Sequence, residues 1–184
     1  MDIALQLIGA VSYLLNKIFL ATAEGNSNKK WRVLGWLVYL IGAPAWIVIM
    51  LKQRNWMAAA IQIGGIPTMV LGLYVSIRGY NQNIYVLNKI TRKLIYILTG
   101  VGAVHSIHYF GGITAITQVL EIIVIVGFLS GSYLLAKKNK TGWIWFAVMN
   151  AGMSILMLIQ DKYILAGQQI ISLGVVIVGI IRAK

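Results

Sequence analysis

Long apolar runs alternate with short polar breaks along this chain, and seven of the runs can cross a bilayer: about 2–21, 34–51, 57–77, 94–110, 113–136, 142–160 and 163–181. Each has 17 or more mostly uncharged residues, which at ~1.5 Å per residue matches a hydrocarbon core ~30 Å thick. Helices are required, because lipid offers a backbone N–H or C=O no partner. The pattern predicts an all-α membrane protein of seven transmembrane helices with no residual soluble domain. No basic segment precedes the first run, so it is expected to remain in the bundle rather than be cleaved.

The polar breaks are not equivalent. Those after the first, third, fifth and seventh runs carry Lys29, Lys30 and Arg32, then Arg78, Lys89, Arg92 and Lys93, then Lys137, Lys138 and Lys140, then Arg182 and Lys184. The opposite breaks carry Lys52, Arg54 and Lys162. Lys17 falls late in the first run, where its stem is expected to snorkel to the basic side. The positive-inside rule then places the amino terminus outside and the carboxyl terminus in the cytoplasm.

Shifted by 107 residues, Gly35 to Ile181 matches itself without a gap. Gly35-Trp36 falls on Gly142-Trp143, Met50-Leu51 on Met157-Leu158, Gln53 on Gln160, Ala59 on Ala166, Gln62 on Gln169 and Gly72 on Gly179. Lipid-facing filler has no need of coincident Trp, Gln and Gly. The expected organisation is a first three-helix repeat over 1–78, a linker helix over 94–110 and a second repeat over 113–184. The fourth crossing turns the second triplet upright, giving two parallel repeats in a 3+1+3 plan, with a substrate site where they meet. A shorter match, Ser12 to Lys17 on Ser132 to Lys137, has a shift of 120, and an insertion in the 23–33 connection accounts for the difference.

Polar groups inside the spans are the candidate chemistry. Trp143, Phe146, Asn150, Met153 and Met157 share one helical face, and Trp36, Tyr39, Ala43, Trp46 and Met50 form the equivalent stripe. Such a stripe serves helix packing, an interfacial belt or a binding surface. Asn150 and Trp46 lie deep, where their N–H groups need protein or ligand partners. Gln62 and Gln169 are equivalent by the repeat, and Ser172 shares the Gln169 face; inter-helix bonding and cavity lining are both open to the pair. Glu121 is the one carboxylate expected within the membrane, a functional candidate or a group near outer water. His105 and His108 have no acidic or Cys companion that would make a metal site. Pro44 and Pro67 interrupt two helices and mark kinks or hinges, the second just after Gly64-Gly65.

The segment Ser132-Tyr133-Leu134-Leu135-Ala136-Lys137-Lys138-Asn139-Lys140-Thr141-Gly142-Trp143, followed by Asn150 and by Tyr163 to Gln169, resembles the PnuC family of bacterial vitamin transporters. The 3+1+3 plan is similar, more distantly, to the SWEET sugar transporters. Where the family often has two Trp three apart, this chain has Trp143 and Phe146. The resemblance implies facilitated diffusion of nicotinamide riboside across a bacterial cytoplasmic membrane, trapping by phosphorylation inside the cell, no cofactor, and a homotrimer. It fits Asn150, Gln169 and Gln62 as hydrogen-bonding groups, Trp46, Trp143, Trp36 and Tyr39 as stacking or gating groups, and Glu121 as a further contact. Thiamine, riboflavin and sugars are alternative cargoes, and a non-transporting sensor or assembly protein is the alternative class.

Composition narrows these classes. The chain is 59% hydrophobic and 11% charged, far from a soluble domain. Its net charge of +12 follows from the sided loops, so nucleic acid is not an expected partner; the lipid bilayer is. With Asp2, Glu24, Glu121 and Asp161 as its only acids and no Cys, the chain has few means of acid–base, nucleophilic or metal catalysis. It also has no phosphate-binding G-x-x-x-x-G-K-[ST] loop. The reading is a carrier, not an enzyme.

Overall fold

A computed structural model describes residues 3–24, 26, 29–52, 56–79, 83–110, 116–161 and 163–183. Asp2, Gly25, Ser27, Asn28, Gln53, Arg54, Lys162 and Lys184 lie outside the described residues, as do the side chains of Trp56 and His105. The described residues form seven helices: α1 (Ile3–Ala23), α2 (Lys29–Lys52), α3 (Trp56–Arg78), α4 (Asn83–Phe110), α5 (Ile116–Ala136), α6 (Gly142–Ile159) and α7 (Tyr163–Arg182). Five are long and apolar enough to cross a membrane, namely α2, α3, α5, α6 and α7. α1 contributes a shorter apolar stretch, Leu7–Ala23.

α4 begins well before its apolar run. Its basic first third is helical because it is amphipathic: Ile84 and Thr91 are buried, Leu87 and Asn88 half-buried, and Tyr85, Val86, Lys89, Ile90, Arg92 and Lys93 exposed. That spacing is one helical face. Tyr133 of α5 donates to Asn88 Oδ1 at 2.6 Å.

α1, α2 and α3 pack in succession, and so do α5, α6 and α7; α1 then meets α7 and α3 meets α5. Six helices therefore close a ring, and α4 lies outside it against α3. Aromatic rings fill the interior, with Tyr13 edge-on to Tyr39 at 6.0 Å and Tyr39 edge-on to Phe128 at 6.1 Å.

Glycine allows the close approaches. A Cβ at Gly72 would overlap the Trp36 indole, and one at Gly179 would lie 2.8 Å from the Trp143 ring. Both indoles are fully buried in these slots, and the two slots are related by the 107-residue shift. The first helices of the triplets follow a different register. Leu20 packs at Gly35 and Leu135 at Gly142, while Ser12 packs at Gly42 and Gly127 at Met149. Each comparison sets α1 against α5 at an offset of 115, so the Ser12–Lys17 match at 120 is five residues out of register with the packing.

Two seams close the ring. At α3–α5, Thr68 Oγ1 lies 3.1 Å from Ser132 Oγ and donates to the Gly65 carbonyl at 2.6 Å. At α1–α7, Lys17 Nζ donates to Ser172 Oγ at 2.5 Å, and it also reaches α6, donating to Asn150 Oδ1 at 2.7 Å. Lys17 is 1% exposed, so it does not snorkel as its sequence position suggests. The residues from Ile18 to Ala23 carry α1 on for about 9 Å at ~1.5 Å per residue, further than a four-carbon stem can reach.

Gly72→Ala should lower the stability of the purified protein by ~1–3 kcal/mol, the usual range for overpacking. Gly100→Ala, where nothing lies within 4 Å of the added carbon, should be neutral or stabilising. Equal thermal melting of the two variants would rule out the Trp36 slot as a packing constraint. Ser172→Ala should destabilise by ~3 kcal/mol or more, since it strips a partner from a buried ammonium. Adding Lys17→Met should recover most of that loss. Simple additivity in this double-mutant cycle would show that the two residues are not coupled.

Candidate substrate site

Tyr13 and Lys17 are one turn apart on α1 and face the ring interior together. Lys17 Nζ sits 3.8 Å from the Tyr13 ring centroid and 5.7 Å from that of Phe146, distances at which an aromatic face attracts a cation. The ammonium therefore has two oxygen acceptors and two rings around it. Among the described residues no carboxylate pairs with it. On α6, Asn150 spends one amide hydrogen on the Phe146 carbonyl at 2.6 Å, which fixes the side chain so that Oδ1 faces Lys17.

Elsewhere on the ring's helices, the buried polar atoms with no hydrogen-bond partner among the described residues are Tyr39 Oη, Trp46 Nε1, Gln169 Oε1 and Ser154 Oγ, with Asn16 Oδ1 and Trp36 Nε1. Gln169 precedes Ser172 by one turn of α7, Ser154 follows Asn150 by one turn of α6, and Tyr39 abuts Tyr13. Trp46 Nε1 lies 3.0 Å from where Gly9 would carry a Cβ, so glycine on α1 makes room for the indole. The neighbouring Gln168 does have a partner, the Ala10 carbonyl at 3.4 Å. Buried polar groups are satisfied in the great majority of cases. Several unsatisfied donors and acceptors on α2, α6 and α7 together match the demands of a polar ligand or water.

The remaining sequence candidates are placed differently. Trp143 and Trp36 lie nearer the basic end. Trp143 Nε1 donates to Glu24 Oε1 at 3.3 Å, and the same oxygen pairs with Arg32 at 2.9 Å. Trp143 is also edge-on to Phe146 at 6.3 Å, and Phe146 in turn faces Lys17 Nζ. Gln62 is buried on α3, across the ring from α7. Glu121 is half-buried on α5, and no hydrogen bond or ion pair joins it to the cluster. His108 is exposed, and among the described residues no group of three potential ligands could hold a metal ion.

Sequence reading passed over Lys17, Tyr13 and Glu24 as parts of this arrangement. The signal for the first two was present: a lone cation one turn after a Tyr, with six further residues of helix still to run. The signal for Glu24 was weaker, because its partners are 8 and 119 residues away.

A family model described as nicotinamide mononucleotide transporter matches residues 4–184. No curated protein and no solved structure matches the chain. The family match takes in all seven helices and every candidate residue named above. The chain therefore belongs to the nicotinamide mononucleotide transporter family and is a multi-pass membrane transporter of nicotinamide-related nucleosides, not an enzyme.

Proposed function

We propose that the protein carries nicotinamide riboside by facilitated diffusion, through a site inside the six-helix ring. The observation that carries this reading is the set of unpartnered buried groups, Tyr39 Oη, Trp46 Nε1 and Gln169 Oε1, on the same ring of helices as the Lys17–Asn150 pair. Two are donors able to meet the ligand's carboxamide oxygen, and Gln169 supplies an acceptor for its hydroxyls or amide hydrogens. The charged pyridinium ring stacks at Tyr39 or Trp46, and the ribose oxygens turn toward the Lys17 Nζ and Asn150 donors. Trp36 and Trp143 form a gate toward the basic end, while Gln62 and Glu121 are reached as the ring opens.

The 3+1+3 plan of two parallel repeats belongs to the same proposal. It is supported by the ring of six helices with α4 outside and by the paired Trp–Gly slots 107 residues apart. So does the expected setting, a bacterial cytoplasmic membrane with the basic end of the ring inside, and so does the homotrimer that the family resemblance implies.

Labelled nicotinamide riboside, thiamine and riboflavin should be offered to proteoliposomes. Nicotinamide riboside uptake is expected, and Gln169→Ala should raise the half-saturating concentration about tenfold at unchanged melting temperature, the loss of roughly one buried hydrogen bond. Uptake of another vitamin instead would move the cargo assignment, and no uptake by folded protein would end the carrier reading. Orientation has its own test, made simple by a chain without cysteine. In intact cells an impermeant maleimide should label Asp161→Cys and spare Asn139→Cys; the reverse would invert the topology.

A further inference from the structure

Outside the ring, α4 packs on α3 and diverges from α5, leaving a groove of about 340 Å³ between α4 and α5. Its walls are two helical stripes, Arg92, Tyr96 and Thr99 on α4 and Val126, Leu129 and Tyr133 on α5, each at spacings of three or four residues, with Ser130 beside the second. From Arg92 to Thr99 the groove runs about 10 Å along the helix at ~1.5 Å per residue. Its walls are mostly apolar, with the Thr99 and Ser130 hydroxyls as the polar groups away from the mouth.

The mouth is strongly basic. Arg92 lines it, and Lys89 stands one turn earlier on α4, exposed. On α5 the stripe continues past Tyr133 to Lys137, whose Nζ lies 5.4 Å from the Tyr133 ring centroid. The Tyr133–Asn88 hydrogen bond ties both walls together at this level, so the cations of α4 and those after α5 share one end. Glu121, the α5 carboxylate, is about 18 Å further along that helix at ~1.5 Å per residue, too far to neutralise them.

We propose that this groove is a binding site for an anionic phospholipid, with the phosphate at Arg92, Lys89 and Lys137 and one acyl chain lying between α4 and α5. Apolar walls at membrane depth suit a hydrocarbon chain and give no preference among lipids. The preference comes from the mouth, where each cation near an anionic headgroup contributes on the order of a fivefold gain in binding. The site is independent of what the carrier transports, since it lies on the outside of the ring.

Native mass spectrometry of the full chain, released from detergent after incubation with phosphatidylglycerol or phosphatidylcholine, tests this. Phosphatidylglycerol adducts are expected to survive activation and phosphatidylcholine adducts to be lost. Arg92→Gln should lower phosphatidylglycerol occupancy roughly fivefold, and Arg92→Gln with Lys137→Gln further, both at unchanged melting temperature because these side chains are outside the packed core. Equal retention of the two lipids, or occupancy indifferent to both substitutions, would overturn the proposal. A disulfide-linked dimer of Ser130→Cys, formed in membranes under mild oxidation, would also overturn it, because a second copy would then occupy the groove.

Discussion

Everything in this molecule depends on closing a ring of helices where hydrophobicity gives no reason to close it. In lipid, apolar helix faces gain little by meeting each other, so association rests on close packing and on polar bonds between helices. The chain uses both. Glycine slots let Trp36 and Trp143 lie against the next helix within each half, and polar links at α1–α7 and α3–α5 join the halves. The first kind of contact is local in sequence and redundant. The second lies mainly at two seams, with the Glu24–Trp143 and Lys17–Asn150 bonds adding links from α1 to α6.

The seams are chemically unequal. One is a pair of neutral hydroxyls whose hydrogens are shared with neighbouring carbonyls. The other is a buried lysine nitrogen that reaches two oxygen acceptors on two helices. Because Lys17 also binds Asn150, its seam runs into the polar cluster of the ring interior, while the hydroxyl seam runs into aromatic packing at Phe128 and Gly65. The charged-residue seam and the buried amides are therefore on the same side of the ring, at α1, α6 and α7.

How much of this was legible in the sequence differed from feature to feature. The helices could be read because membrane thickness sets their length, and the error at α4 arose where amphipathic helix leaves the apolar layer, which hydropathy alone does not register. The pairing of Trp36 with Gly72 and of Trp143 with Gly179 was visible because a slot needs both partners, and both recur 107 residues apart. The register of α1 was not visible. The Ser-Tyr-Leu-Leu motif pairs Lys17 with the boundary residue Lys137, whereas packing pairs it with Ser132, and only the second pairing takes the ammonium inward. Asn150 stood out in the sequence because an amide is out of place in lipid, but its bond to Lys17 spans more than 130 residues of chain, and no local pattern encodes it. The same is true of Glu24, whose role arises from three helix ends meeting.

Glu24 has a mechanical meaning beyond its bonds. It lies just past the end of α1, pairs with Arg32 in the second turn of α2 and accepts the indole N–H of Trp143 at the start of α6. One carboxylate thus couples the ends of three helices on the basic face, two from the first triplet and one from the second. Sliding α1, α2 or α6 past one another at that face must break a bond to Glu24, so one carboxylate sets a common pivot for three helices.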